Sequence, residues 1–185
     1  MRLLLCSASP RRRDFLKTLG VPFEIAPAHI DESQRPGEPP LDYVRRMARE
    51  KAAASARPGC VALAADTIVV VGGEVLGKPS GRSDAERMLR ALSGVEHRVI
   101  TAVCVGEQLT TVETSVCFAA LSDAQVRWLA ASGDGDDKAG AYAVQGLAGA
   151  FVERIDGSFT NVVGLPMAET LQMLADAGVE MPWKG

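Results

Sequence analysis

The 185-residue sequence has few cysteines, and none of them is spaced like a metal ligand. Cys6, Cys60, Cys104 and Cys117 form no C-x-x-C pair, and three of them lie in apolar, strand-like surroundings. Thiols in such positions usually pack as small hydrophobic side chains. We therefore expect reduced core cysteines, with neither a zinc site nor a cysteine nucleophile.

Long hydrophobic runs are also absent. No apolar stretch approaches the roughly 20 residues that a membrane-spanning helix needs. The run Leu3–Cys6 is too short for the core of a signal peptide, and three arginines follow it at positions 11–13. These absences predict a cytoplasmic protein that has no membrane partner.

An excess of positive charge is missing as well. The net charge of −3 argues against bulk electrostatic binding to nucleic acid, and the local clustering of arginines favours a small anionic ligand. The sequence also lacks a G-x-x-x-x-G-K-[ST] loop and a G-x-G-x-x-G turn after a strand. Their absence disfavours P-loop kinases, ATPases and nicotinamide-dependent dehydrogenases.

Helix and strand patterns alternate along the whole chain, which at this length predicts a single domain over residues 1–185. The predicted strands are Arg2–Cys6, Val61–Val71 continuing as Glu74–Leu76, His97–Val105, Val112–Phe118 and Ala150–Ile155. The predicted helices are Pro10–Leu19, Leu41–Ala56, Ser83–Leu92, Ser122–Ala131 and Pro166–Ala177, with capping boxes at Ser83/Glu86 and Ser122/Gln125. This order predicts an α/β protein with a mixed β-sheet and helices on both faces.

The first helix begins in a way that is typical of an anion site. Ser9 is a good N-cap and Pro10 suits the first helical position, while Arg11 and Arg12 follow at once. Arginines oppose the helix dipole at this end, but a phosphate would accept hydrogen bonds from both the arginines and the free main-chain N–H groups. A capped surface helix with solvated arginines is the alternative.

Asp66 and Lys51 both break the apolar pattern around them. Asp66 lies inside an otherwise buried strand, where an unpaired carboxylate would cost several kcal/mol. Lys51 is the only charged residue on the helix stripe that carries Val44, Ala48 and Ala52, with Leu41 at its start. We interpret both as residues of one cleft, although Lys51 could instead extend past the helix end into solvent.

Weaker signals complete a candidate phosphate and metal site. Glu32 lies in a proline-rich loop and Lys78 in the turn Gly77–Pro79. Two carboxylates for a divalent ion and several cations for phosphates suit metal-assisted phosphoryl chemistry. In the glycine-rich stretch 138–146, Tyr142 and Gln145 could stack on a base and hydrogen-bond its edge.

Taken in order, these segments resemble the Maf family of nucleotide pyrophosphatases. The matching blocks are 7–12, Asp31-Glu32, 48–52, Ala65-Asp66-Thr67, Gly77-Lys78-Pro79, His97-x-Val99-x-Thr101, 138–142, Gln145-Gly146 and 161–166. They cover nearly the whole chain. The resemblance implies two lobes around a cleft and hydrolysis of a nucleoside triphosphate to the monophosphate and pyrophosphate with Mg²⁺ or Mn²⁺.

The resemblance also implies roles for single residues. Asp66 and Lys51 would be catalytic, and Glu32 and Asp66 would hold the metal. The implied substrate-binding residues are Ser9, Arg11, Arg12, Thr67, Lys78 and Gln145. Whether Asp66 accepts the water proton, binds the metal or does both stays open.

Three positions select a subgroup within the family. Arg11, Thr67 and Gln145 follow the pattern of members that act on dTTP and UTP. A 7-methyl-GTP or CTP pyrophosphatase on the same scaffold is one alternative, and a non-catalytic nucleotide-binding regulator of septum formation is another. Oligomeric state is left open, with a homodimer as one arrangement.

Overall fold

Seven strands of the computed structural model, which describes residues 1–184, form one mixed sheet. The strand order is β2-β1-β3-β5-β6-β7, and β4 pairs with β3. The strands are β1 (Arg2–Leu5), β2 (Glu24–Ile25), β3 (Cys60–Val71), β4 (Glu74–Leu76), β5 (Glu96–Val105), β6 (Gln108–Phe118) and β7 (Val152–Asp156). The predicted mixed-sheet α/β class is confirmed.

Residues 1–184 also form six α-helices. They are α1 (Pro10–Thr18), α2 (Pro40–Ala54), α3 (Arg82–Leu92), α4 (Asp123–Ser132), α5 (Phe159–Val163) and α6 (Met167–Asp176). Short 3₁₀ helices lie at Ala139–Ala141, Leu147–Phe151 and Pro182–Lys184. Within residues 1–184, no helix combines the length and the apolar character that crossing a membrane requires.

The chain divides into two compact units, and the first contains Met1–Asp66, Thr101–Val112 and the chain from Gly164 onward. In it β1 runs parallel to both β2 and β3, with Leu4 opposite Glu24 on one side and Ala62 on the other. Buried side chains from the strands pack against α1 and α6. This core includes Leu3, Leu5, Leu16, Leu63, Val103, Leu165 and Leu174.

The second unit contains Thr67–Ile100 and Glu113–Val163. The end of β3 forms an antiparallel hairpin with β4 through Gly72 and Gly73, whose φ angles of 57° and 86° suit the tight turn. Strand β7 pairs antiparallel with β6, with an irregularity between Cys117 and Phe118. The core of this unit includes Val69, Leu76, Met88, Leu89, Leu92, Val99, Val116, Phe118 and Tyr142.

Several sequence predictions need correction. The segment Glu74–Leu76 does not continue β3 but turns back beside it, because the two glycines permit a two-residue hairpin. Helix α3 begins at Arg82 with Gly81 as its N-cap, so Ser83 already lies inside the helix and the predicted box with Glu86 does not form. The Ser122/Gln125 capping box is confirmed.

The shortest elements were missed. Strand β2 has two residues and α5 has five, so neither shows a periodic apolar pattern. In α2 the buried stripe consists of Val44, Met47, Ala48, Lys51 and Ala52, whereas Leu41 is 37% exposed. The predicted position of Lys51 on the inward face is therefore correct, and that of Leu41 is wrong.

Candidate active site

The loop between β1 and α1 presents a helix N-terminus that has no acidic residue in its first turn. Ser9 is the N-cap in extended conformation and Pro10 occupies the start of the helix, as predicted. The Ser9 side chain does not cap the helix, and instead its main-chain carbonyl accepts the N–H of Arg13 at 3.3 Å. The positive end of this helix is thus not neutralised by a carboxylate of its own first turn, which favours an anionic ligand.

Arg12 binds two main-chain carbonyls from distant segments. Its Nε donates to the carbonyl of Gly164 at 2.8 Å, and its Nη1 donates to that of Ala65 at 2.7 Å. Nη1 also lies 3.3 Å from Ser7 Oγ. Burial lowers the pKa of Arg12, and the nearby Asp66 carboxylate partly opposes this shift. Arg12 therefore fastens α1 to the residue before Asp66, a structural role that sequence reasoning missed.

Asp66 follows Ala65 in β3 and is 8% exposed. Lys51, on α2, is 9% exposed, and its Nζ lies 2.7 Å from Asp66 Oδ1. The same ammonium lies 2.7 Å from Glu32 Oε2. Asp66 and Lys51, the two residues that break their apolar patterns, thus meet, together with the weaker candidate Glu32. Lys51 does not extend into solvent as the alternative required.

Two carboxylates around one ammonium leave an excess of one formal negative charge. The Glu32 side chain is half exposed, while those of Asp66 and Lys51 are 12% and 11% exposed. Water screens the buried charge of Asp66 poorly, so this carboxylate would interact strongly with a bound cation. The cluster of Asp66, Lys51 and Glu32 is called the carboxylate–lysine cluster below.

The loop that carries Glu32 is fastened to α2 by two residues that sequence reasoning did not identify. The Tyr43 hydroxyl donates to the main-chain carbonyl of Glu32 at 2.8 Å. Burial, with a further contribution from the charges of Asp66 and Glu32, raises the pKa of Tyr43 to about 12. Arg46 binds both oxygens of Glu38 at 2.6 and 2.7 Å and the carbonyl of Ser33 at 3.0 Å. The position of Glu32 is therefore set from both ends of its loop.

The remaining candidate residues lie in the second unit. Thr67 follows Asp66 in β3 and is half-buried, whereas Lys78 and Gln145 are exposed. The turn that carries Lys78 is held by a hydrogen bond from the N–H of Gly140 to the carbonyl of Gly77, at 3.1 Å. Arg11, in the first unit, is half-buried in the first turn of α1.

Tyr142 does not have the base-stacking role that the sequence suggested. It is 6% exposed, and its hydroxyl lies 2.8 Å from His97 Nε2. Its ring also packs edge-on against Phe118, with centroids 4.9 Å apart. Tyr142 is a core residue because its ring packs against the side chains of His97 on β5 and Phe118 on β6, so it is not accessible to a base.

The sequence is similar to those of known proteins. The family model described as Maf-like protein matches residues 2–177. A dTTP/UTP pyrophosphatase of Anaeromyxobacter dehalogenans (strain 2CP-1 / ATCC BAA-258) is 57% identical, over 99% of this chain and 97% of the relative. Proteins of the same name from Hahella chejuensis and Myxococcus xanthus are each 48% identical, over 97% and 98% of this chain and 94% and 95% of their own lengths.

Proposed function

Because the chain belongs to the Maf-like protein family, we propose that it hydrolyses dTTP and UTP to the nucleoside monophosphate and pyrophosphate. Relatives named dTTP/UTP pyrophosphatase, between 46% and 57% identical and matched over nearly their full length, support this substrate class. The observation that carries the proposal is the carboxylate–lysine cluster, in which one buried ammonium binds two carboxylates at 2.7 Å.

The cluster has the donor set for a divalent metal ion. Carboxylate oxygens are preferred ligands of Mg²⁺, and the cluster has an excess of negative charge. Among residues 1–184 no group of three His, Cys, Asp or Glu side chains could hold a metal. Mg²⁺ commonly binds through one or two carboxylates plus substrate phosphates, and Glu32 and Asp66 would hold it in that way. Such an ion would neutralise charge that develops on the phosphates.

Several of the candidate residues bind and orient the triphosphate. The N-terminus of α1 offers main-chain N–H groups, with Ser9 and Arg11 beside them, and Lys51 supplies an ammonium. Arg12 and Lys78 add further positive charge toward the phosphates. Orientation and charge neutralisation provide most of the rate enhancement in enzymatic phosphoryl transfer. We therefore expect several cationic groups to bind one triphosphate.

Asp66 accepts a proton from the attacking water. The water oxygen forms a bond to the α-phosphorus while the bond from that phosphorus to the bridging oxygen breaks, and pyrophosphate leaves. Lys51 holds Oδ1 of Asp66 in place at 2.7 Å, which fixes the direction of the carboxylate. A positioned base of this kind contributes roughly 10²–10⁴-fold to the rate.

Arg11, Thr67 and Gln145 select the base. An amide such as that of Gln145 donates to a carbonyl of uracil or thymine and accepts from its N3–H. Cytosine has an amino donor and an unprotonated N3, so it would leave mismatched groups. Each unpaired buried group costs roughly 1–3 kcal/mol, which corresponds to about ten- to a hundredfold discrimination.

The same proposal covers the cellular setting. The protein is a cytoplasmic enzyme with neither a nucleic-acid nor a membrane partner, and it acts as a single domain over residues 1–185. The net charge of −3 supports the absence of a nucleic-acid partner. A homodimer would place two such sites in one particle.

The test is a panel of nucleoside triphosphates that includes dTTP, UTP, CTP, GTP and 7-methyl-GTP, each with Mg²⁺ or Mn²⁺. Released pyrophosphate and the monophosphate are both measured, so that stepwise loss of single phosphates is distinguished. We expect the highest kcat/KM for dTTP and UTP. A maximum at CTP or 7-methyl-GTP would favour those alternatives, and nucleotide binding without turnover would favour the regulator.

A further inference from the structure

The carboxylate of Asp134 connects the loop after α4 to a chain segment 13 residues further on. Its Oδ2 accepts the main-chain N–H of Leu147 at 3.0 Å. The main chain of Asp134 is held at both sides, since its N–H donates to Ser132 Oγ at 3.2 Å and its carbonyl accepts from Lys138 Nζ at 2.6 Å. An acceptor fixed in this way sets the position of Leu147.

Gly146 permits a close approach by this carboxylate. A Cβ atom at position 146 would lie 1.9 Å from Asp134 Oδ2, well inside van der Waals contact. The carboxylate therefore occupies the volume that any side chain at this position would need. The contact couples the position of residue 146 to that of Asp134.

The residues on the other side of Gln145 are also fixed. The N–H of Gly146 donates to the carbonyl of Ala143 at 3.1 Å, which closes a turn around Gln145. A Cβ at Gly149 would lie 2.3 Å from the carbonyl oxygen of Val144, so these two backbones are in close contact. Gln145 thus lies, exposed, at the tip of a turn that is held on both sides.

We propose that Asp134 is a positioning residue for base selection, because it holds the turn that carries Gln145. This inference rests on the proposed function, in which the Gln145 amide distinguishes uracil and thymine from cytosine. Asp134 itself need not contact the base. Its charge-assisted hydrogen bond to Leu147 is of the stronger class, which suits a role in preorganising a binding group.

The physical reason is that an amide discriminates only when its orientation is fixed. Uracil and cytosine differ in where they place a donor and an acceptor, and a rotated or displaced amide can satisfy either pattern. Hydrogen bonds weaken steeply when the donor–hydrogen–acceptor angle falls below about 120°. If the turn tilted, the Gln145 amide would therefore bind both bases with similar affinity. Loss of the Asp134 contact should therefore change selectivity more than it changes catalysis.

The test compares equilibrium dissociation constants for the α,β-imido analogues of UTP and CTP, which differ at the base alone. The ratio of the two constants is measured for the wild type, Asp134→Ala, Asp134→Asn and the matched control Asp136→Ala, an exposed aspartate of the same loop. We expect a wild-type ratio of roughly ten to a hundred. Asp134→Ala should reduce this ratio to within about threefold of unity, and Gln145→Ala should do the same.

Three variants test the mechanism behind that change. Asp134→Asn should keep most of the selectivity, because its carbonyl oxygen can still accept the Leu147 N–H. Gly146→Ala should lose selectivity by displacing the carboxylate from the other side, which gives a second route if Asp134→Ala folds poorly. Asp134→Ala combined with Gln145→Ala should have the ratio of Gln145→Ala alone, whereas an additive loss would overturn the inference.

Hydrogen exchange at the Leu147 amide reports the contact independently of nucleotide. The inference would be overturned if the Leu147 amide exchanged faster in Asp134→Ala while the ratio of the dissociation constants for the UTP and CTP analogues stayed at its wild-type value. Selective binding without pyrophosphate release from UTP would reject the proposed hydrolysis and leave Asp134 in its role. A wild type that binds both analogues equally would reject base reading by Gln145 and this inference together.

Discussion

At the scale of single residues, the carboxylate–lysine cluster consists of a buried lysine shared by two carboxylates. Asp66 and Lys51 could be identified from the sequence because each is a charge in an apolar pattern, a strand in one case and a helix stripe in the other. Burial of either one alone would be costly, and their pairing at 2.7 Å offsets part of that cost. Glu32 gave only a weak sequence signal because it lies in an exposed loop.

Lys51→Met should destabilise the fold, although methionine fits an apolar helix face. Removing the ammonium leaves Asp66 buried without its cation, and breaking a buried ion pair from one side costs about 3–5 kcal/mol. Because Glu32 is half exposed and can be solvated, we expect a loss near the lower end of that range in urea unfolding. Pyrophosphate release should also fall.

Two further variants control this prediction. Lys17→Met removes an exposed lysine from the last turn of α1 and should change the free energy of unfolding by less than about 0.5 kcal/mol. Asp66→Asn in the Lys51→Met background should restore part of the stability, since the unpaired charge is gone. A Lys51→Met protein as stable as the wild type would contradict the buried ion pair.

At the scale of elements, helix α2 organises the site. It carries Lys51 on its buried face, and Tyr43 and Arg46 hold the loop that contains Glu32. The sequence predicted the helix and the direction of Lys51, because helical periodicity depends on neighbouring residues. It could not predict Tyr43 or Arg46, since their partners lie in a loop with no periodic pattern.

The difference between local and distant partners also explains which of the other sequence predictions were right and which were wrong. The Ser122/Gln125 box was predictable because both partners lie within one turn. The Ser83/Glu86 pattern matches the same rule, but α3 begins one residue earlier at Arg82, with Gly81 as its N-cap. The burial of Tyr142 depends on packing against His97 and Phe118, which are distant in sequence.

Tyr43→Phe should weaken the response to divalent metal while leaving the fold largely intact. The variant loses one hydrogen bond to the carbonyl of Glu32, which costs about 0.5–1.5 kcal/mol of stability. With Glu32 less constrained, the Mg²⁺ concentration for half-maximal activity should rise. Titration of Mg²⁺ at saturating dTTP measures this.

The chain has one other tyrosine, which provides the control. Tyr142→Phe removes a buried hydroxyl that contacts His97 and should lower stability without changing the Mg²⁺ requirement. Equal Mg²⁺ requirements for the wild type and Tyr43→Phe would show that the Tyr43 hydroxyl does not position Glu32 for the metal.

At the scale of the whole molecule, each unit has its own core, and a titratable group lies inside one of them. His97 is 1% exposed, and burial lowers its pKa to about 4, from an ordinary value of 6.5. In the unfolded chain the His97 imidazole binds a proton below pH 6.5, whereas in the folded protein it binds one only near pH 4. The stabilisation from neutral His97 is therefore complete above pH 6.5 and is lost as the pH falls toward 4.

Urea unfolding between pH 7.5 and 4 should show this loss, on the order of 3 kcal/mol. In His97→Gln the corresponding part of the pH dependence should disappear, because glutamine does not titrate. His29, the other histidine, is exposed, so His29→Gln should keep the wild-type profile. Parallel pH profiles for the wild type and His97→Gln would contradict the buried neutral imidazole.

We infer that the carboxylate–lysine cluster performs the hydrolysis. The most direct measurement is the initial rate of pyrophosphate release from dTTP with Mg²⁺, for the wild type and for Asp66→Asn. Asparagine keeps the shape of Asp66 but can neither accept the water proton nor supply the charge for a metal. We predict a rate loss of about 10²–10⁴-fold, with an unfolding profile that shows a folded protein. A folded Asp66→Asn variant with near-wild-type turnover would contradict the claim.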